Sequence, residues 1–411
     1  MIFLKEFDNK LRLIINKMDG ALTVSVGVLV KTGSVNENAE ENGISHFIEH
    51  TLFKGTKKRS AFEISDCIDR IGAQINAFTS KELTCYYTKS MPEHLDKSLD
   101  VLSDIFFNSV FDKEELEKEK GVVVEEINMC DDTPEDLCLD LLASNYFGNL
   151  GLGRPILGTE KTVKSFSKAD IERYMDKYYT SDNTVISIAG NVDIDKACAL
   201  VEGYFASAFS RKKSAPQFKN KKTYSKSSYK YKKIEQAHIG IAMKGIKLGE
   251  DVADSFAIAN TVLGGGMSSR LFQKIREEMG LCYSVYSYAS SYKDTGVLEI
   301  YAGVNADSRD RALAEIVNQV KNLKENGITE QEFLRGKQQV KSAFIMSAES
   351  TASQMLLYGK NLIYLNKRFS LEERLEKIDK ITLKDVLDAI DLSFDTSSMS
   401  LATVGRCRKP L

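Results

Sequence analysis

The chain has 411 residues, enough for two or three domains with sizeable cores. Its 43% hydrophobic and 28% charged content is that of a globular protein, and a formal net charge of -2 removes any global-charge argument for nucleic acid or an anionic membrane as partner. No stretch approaches the roughly 18 uninterrupted apolar residues of a membrane span, so no membrane association is expected.

The amino-terminal MIFLKEFDNKLRLIINKMDG alternates apolar and polar residues and predicts two strands. It lacks the basic, apolar and small-residue succession of a secretory leader. Seven cysteines, at 67, 85, 130, 138, 198, 282 and 407, form no CxxC pair. They are expected as free thiols in a reducing compartment, which points to a cytoplasmic location.

A strand, TVSVGVLVKTGS, comes next, followed by GISHFIEHTLFKG, residues 43 to 55. This short segment holds two of the four histidines, His46 and His50, four apart with Glu49 between them. On a helix, residues three and four apart share a face, so both imidazoles can address one ion at about 2.0 to 2.1 Å, a zinc distance. Glu49 reaches the same side without being a ligand, which suits it to poise a water. The plainer alternative is a pair of surface imidazoles on a charged helix. Catalytic zinc sites take three protein ligands, so a third partner is required.

A second helix, SAFEISDCIDRIGA, two strands, QINAFTS and LTCYYTKS, and an amphipathic helix, EHLDKSLDVLSDIFFNS, follow in turn. FDKEELEKEKGVVVEEINMCDDTPED then offers carboxylates for the third position. Asp112 with Glu115 predicts a capping box, and Thr133-Pro134 with Asp136 opens a further helix. Val122, Val123, Val124 and Ile127 are expected to form a buried stripe beside Glu119 and Glu126, which lie two helical turns apart and share a face. Spacing alone leaves Glu125 and Glu126 equally open as the third ligand.

Residues 210 to 233 carry ten Lys or Arg and no carboxylate. They read as a solvated linker, with a strand beginning near Tyr229; a basic patch for an acidic partner is the alternative. Beyond it the layout of the first half recurs: AHIGIAMKGI, the helices DVADSFAIANTVLGG and SSRLFQKIREEMG, the strands CYSVYSYASSY and GVLEIYAGVN, then SRDRALAEIVNQVKNLKENG. Gly264-Gly265-Gly266 lacks the GK[ST] of a phosphate loop and reads as a flexible interdomain turn. The expected architecture is therefore α+β, two homologous domains, each a mainly antiparallel sheet packed with helices. The expected boundaries are 1–209 for a metal-binding domain, 210–233 for the linker and 234–411 for a second copy without the histidine pair.

HFIEHTLFKGT, INAFTSKELTCYY, EKEKGVVVEEINMCDDTPED, LGRPILGT and LGGGMSSRLFQKIREEMGLCYSVYS, taken in this order, resemble the pitrilysin/insulinase family of zinc peptidases with an inverted HxxEH motif. Within that family the resemblance is to the mitochondrial processing peptidase-like bacterial branch. It implies one Zn2+ per chain held by His46, His50 and Glu126, with Glu119 supporting a ligand. It implies that Glu49 takes a proton from the attacking water and returns it to the departing amine. Arg276 and Tyr283 match residues that the family aims at substrate, Tyr283 as oxyanion donor and Arg276 holding substrate backbone or positioning the tyrosine. The strand holding Asn76, Ala77 and Phe78, together with Glu82, matches the family's substrate-binding edge, to which an extended peptide adds as a further strand. One departure is Leu150-Gly151 before LGRP, where members often carry a histidine that is not a ligand.

Longer family members close four such domains into a chamber, and shorter ones assemble it from two chains. A chain of this length is thus expected as a homodimer in which Arg276 and Tyr283 act in trans on peptide substrates. The rival expectations are a non-catalytic peptide-binding subunit of a processing-peptidase-like complex, and a metal enzyme acting on small molecules.

Overall fold

The computed structural model describes residues 1–209 and 222–406, so the first part of the basic linker and Cys407 lie outside the described residues. Two compact units are present. The first takes Met1–Ile127, resumes at Pro155 and includes Met346–Phe369; the second takes Asn128–Arg154, most of the carboxy-terminal half, and the chain from Ser370 onward.

The first unit is built on six strands, β1 (Ile2–Glu6), β2 (Arg12–Lys17), β3 (Val24–Val30), β4 (Gln74–Thr79), β5 (Thr84–Ser90) and β6 (Thr184–Gly190), in the spatial order β1-β2-β6-β3-β5-β4. All pairs are antiparallel except β2 with β6. Every residue of β3 and β6 is buried, as expected of central strands covered on both faces. β4 stands at the end of the sheet. Val24, Val26, Val28 and Val30 share a core with helix α1 (Ile44–Thr51), which contributes Ile44, Phe47 and Ile48. Those three positions, i, i+3 and i+4, form the helix face that anchors it. Fully burying side chains such as Phe47 and Ile48 is worth about 1.5–3 kcal/mol each. His46, Glu49 and His50 thereby fall on the remaining faces.

Helix α2 (Ala61–Asp69) starts at a full capping box between Ser60 and Glu63. α3 (Leu95–Asn108) follows β5 and packs in the same core. α4 (Lys113–Asp132) begins where Asp112 Oδ1 accepts from the Glu114 and Glu115 amides at 2.9 and 3.2 Å. Glu115 itself binds Lys118 at 2.6 Å, so the structure shows this arm of the expected box. Val123 and Val124 are buried and Ile127 packs partly against the core, but Val122 is 50% exposed. The expected stripe of four was too wide, because three consecutive helical residues span about 200° of the helix circumference and cannot all face one core.

The second unit repeats the pattern with β7 (Ser227–Tyr231), β8 (Gln236–Lys244), β9 (Cys282–Ser291), β10 (Gly296–Asn305) and β11 (Ser400–Gly405), ordered β7-β11-β8-β10-β9. In chain order both sheets read first, fifth, second, fourth, third from β2 and β7 respectively. Each has its single parallel pair at the same place, β2 with β6 and β7 with β11. A shared topology and pairing sense is the structural trace of the expected duplication, and the class is α+β as the sequence patterns imply.

The compact units differ from a single cut at the linker. α5 (Pro134–Phe147), from the amino-terminal half, belongs to the second unit, where Asn145 Nδ2 donates to Leu401 O of β11 at 2.8 Å and to Ser228 Oγ at 2.7 Å. The helix Thr351–Leu365, from the other half, belongs to the first. There Gln354 accepts from Asn16 at 3.2 Å, Thr351 bonds Ser25 at 2.9 Å, and Ser187 donates to Met355 O at 2.7 Å. These buried polar pairs fix which helix covers which sheet, although the Gln354 Nε2 donor itself has no partner among the described residues.

The glycine run 264–266 is an internal turn of the second unit rather than an interdomain one. Gly264 ends the helix Ala253–Gly264, and a Cβ there would lie 2.5 Å from the Ser287 amide of β9. The six cysteines among the described residues are free thiols, and no helix among those residues is long and apolar enough to cross a membrane.

Candidate metal centre

α1 and α4 bring three side chains together. One ligand atom each from His46, His50 and Glu126 lies within 4.8 Å of the other two. Glu126 Oε2 stands 3.6 Å from His46 Nε2 and 3.5 Å from His50 Nε2. These separations are long for hydrogen bonds. They are close to the roughly 3.4 Å that a tetrahedral ion with ligands at about 2.0–2.1 Å imposes between neighbouring donors. Two imidazole nitrogens and a carboxylate oxygen are a zinc-compatible donor set. The residues present therefore fit a zinc ion. Glu125, which spacing left open beside Glu126, is exposed, whereas Glu126 is half-buried.

His50 is fixed from behind. Its Nδ1 lies 2.8 Å from Glu119 Oε1, and the other oxygen of Glu119 lies 2.6 Å from Lys54 Nζ. The two-turn spacing of Glu119 and Glu126 thus places one carboxylate at each nitrogen of a single ring. Burial pushes the Glu119 carboxyl up, but the bonds from His50 and Lys54 outweigh it and hold it below the usual range. Burial pushes His50 down, and the hydrogen bond and charge of Glu119, joined by Glu126 and Glu49, turn the net direction upward. His46 is pushed down to about 3, by burial first and by His50 second. It is therefore neutral at physiological pH, the form that ligates a metal.

Glu49 lies on the same helix, with Oε2 accepting from Thr79 Oγ1 at 2.5 Å. Its carboxyl is pushed up by burial and by Glu126, against the Thr79 bond and the charge of His50. Thr79 ends β4, so the strand expected to bind substrate is tied directly to Glu49. Asn76, Ala77 and Phe78 occupy the middle of this edge strand, paired only with Tyr87, Tyr86 and Cys85 of β5 among the described residues. Glu82 sits in the turn joining β4 to β5.

Arg276 and Tyr283 belong to the second unit. Arg276 lies on the helix Phe272–Glu278, whose turns are closed by wide bonds such as Met279 N–H to Lys274 O. Its guanidinium lies 4.6 Å from the Phe272 ring centre and 4.7 Å from that of Tyr283. Tyr283, near the start of the edge strand β9, is 79% exposed.

Sequence reasoning missed Lys54 and the Thr79–Glu49 bond. Lys54 follows His50 by four, but α1 ends at Thr51, so helical spacing gave no warning. For Thr79 a signal existed: alternation along β4 puts it on the face of Ala77 and Ile75, which pack with the α1 core.

The family model described as Insulinase (Peptidase family M16) matches residues 12–160, and that described as Peptidase M16 inactive domain matches 165–340. The chain is 45% identical to a Bacillus subtilis protein named uncharacterized zinc protease YmxG, over 92% of each. It is 36% identical to an uncharacterized zinc protease of Rickettsia felis, over 97% of this chain and 96% of that one. A solved protease from Helicobacter pylori superposes with a TM-score of 0.91 at 23% identity, covering 98% of this chain and 99% of the other, a likeness of fold. With both halves matched in order, the chain belongs to the pitrilysin/insulinase family of zinc peptidases, peptidase family M16.

Proposed function

We propose that the protein is a zinc-dependent endopeptidase of short or unfolded peptides, working as a homodimer whose halves close a chamber around the substrate. The observation that carries this reading is the convergence of His46, His50 and Glu126, with Glu49 beside them.

His46, His50 and Glu126 hold the ion, and Glu119 holds His50 in the tautomer that leaves Nε2 free. Zinc supplies Lewis acidity there and brings the pKa of a water toward about 7. Glu49 has one oxygen engaged by Thr79; the other accepts the proton of the attacking water and delivers it to the departing amine. β4 takes the peptide as an added strand through main-chain bonds, a mode that tolerates many side chains. Arg276 and Tyr283 of one subunit serve the site of the other, Tyr283 donating to the oxyanion and Arg276 orienting it by stacking.

A series of internally quenched peptides, assayed with and without chelator, tests this. Cleavage within the peptides that stops on chelation and returns with zinc is expected. Cleavage indifferent to chelation would refute the reading. Binding without turnover would favour a non-catalytic peptide-binding subunit instead, and turnover confined to small molecules a different enzyme class.

A further inference from the structure

The first amides of a helix have no partners within it, and a Ser, Thr, Asp or Asn at the N-cap normally takes one. The helix that carries His46, Glu49 and His50 lacks this device. Its N-cap is Gly43, at φ +96°, with no side-chain cap. A larger residue has no room: a Cβ there would lie 2.6 Å from Leu157 O and 2.9 Å from Gly158 Cα. The segment that holds Leu157 and Gly158 is thus pressed against the start of α1.

The cap comes instead from six residues upstream. Glu37, just past the turn Ser34–Asn36, is fully buried. Its Oε2 accepts from the Gly43 amide at 2.8 Å and from Asn42 Nδ2 at 3.0 Å, and its Oε1 accepts from the Ser45 amide at 2.9 Å. Asn42 Nδ2 also donates to Pro155 O at 2.9 Å, tying the same segment down. Ser45 Oγ meets Tyr174 OH at 2.8 Å, and that hydroxyl meets Thr32 Oγ1 at 2.8 Å. Ser45 immediately precedes His46, so the carboxylate grips the turn from which the metal-directed imidazoles project.

A carboxylate is specifically suited here. Three N–H donors converge on it, and it offers acceptors only, whereas an amide would turn a donor toward one of them. Negative charge is also favoured at a helix amino terminus. Burying this group away from water carries a desolvation cost that a surface cap would avoid.

Resting on the metal reading above, we infer that Glu37 is a positioning residue for the metal centre, setting the height and rotation of α1 so that His46 and His50 meet Glu126. The test uses the full chain as wild type, Glu37→Gln and Glu37→Asp. Zinc affinity is read by chelator competition, ligand geometry by the visible absorption of the cobalt-substituted protein, turnover on a quenched peptide, and folding by circular dichroism. Glu37→Gln is expected to stay folded, to bind zinc about 10–100-fold more weakly, to shift the cobalt spectrum, and to lower kcat with little change in KM. Glu37→Asp, which keeps the acceptors, recovers part of the affinity. A folded Glu37→Gln with wild-type zinc affinity and an unchanged cobalt spectrum overturns the inference. Should Glu37→Gln not fold, Asn42→Ala, which removes one donor to Oε2, decides the matter: weakened zinc binding supports the inference, unchanged binding overturns it. A wild-type chain that binds no zinc removes the metal reading itself, before any substitution at Glu37 is compared.

Discussion

Glu119 and His50 are joined by a 2.8 Å bond between Oε1 and Nδ1, and this contact decides which nitrogen of His50 is left for a metal. A histidine ligand donates from one ring nitrogen and needs a partner on the other to fix its tautomer and orientation. Glu119→Ala removes that partner. Zinc affinity, measured by chelator competition, is expected to fall about 10–100-fold while the fold persists.

Thr79→Val tests the link between the edge strand and the proposed base. The Thr79 hydroxyl donates to the ionised form of Glu49, which lowers its pKa; without it the pKa rises. The acid limb of the kcat/KM profile is expected to move to higher pH, with zinc content unchanged. A fixed acid limb would detach Thr79 from Glu49.

Arg270 and Glu332 anchor the turn that precedes the helix of Arg276. Glu332 meets Arg270 Nε at 2.7 Å and Nη2 at 2.8 Å, and accepts from the Thr329 amide at 2.8 Å. The Arg270 bond, then the Thr329 amide, hold the Glu332 carboxyl down to about 2, against burial. A carboxyl depressed by folding stabilises above its unfolded value and ceases to do so as pH falls through its folded one. The difference in urea midpoint between wild type and Glu332→Gln should therefore be full at pH 7 and shrink as pH falls from about 4.5 to about 2.

The trans assignment of Tyr283 predicts complementation. Glu49→Gln and Tyr283→Phe chains are each expected to be inactive alone. In a two-fold dimer formed by free exchange of equal amounts, half the dimers are hybrids with one intact composite site, giving about a quarter of wild-type activity. No recovery despite demonstrated subunit exchange would contradict action in trans.

Much of this was legible in the sequence because it is periodic. The strand alternation, the four-residue step from His46 to His50 and the seven-residue step from Glu119 to Glu126 are local geometry. The two helical steps led to the contacts now seen across α1 and α4. What spacing could not decide was the choice between Glu125 and Glu126, since adjacent helical residues differ by only about 100° and the packing of α4 determines which of them faces the histidines. The exchange of α5 and the helix Thr351–Leu365 was hidden for a related reason: Asn145 and Gln354 look like ordinary surface amides until their partners are known. Glu37 sits in SVNENAEENG among other acids, and nothing in that string marks it as the buried one.

The central claim is tested most directly by metal analysis of purified wild type, Glu49→Gln and Glu126→Ala. One zinc per chain is expected in the first two, with hydrolysis lost in Glu49→Gln, and little or no zinc in Glu126→Ala. Full zinc occupancy in Glu126→Ala, or undiminished hydrolysis by Glu49→Gln, would contradict it.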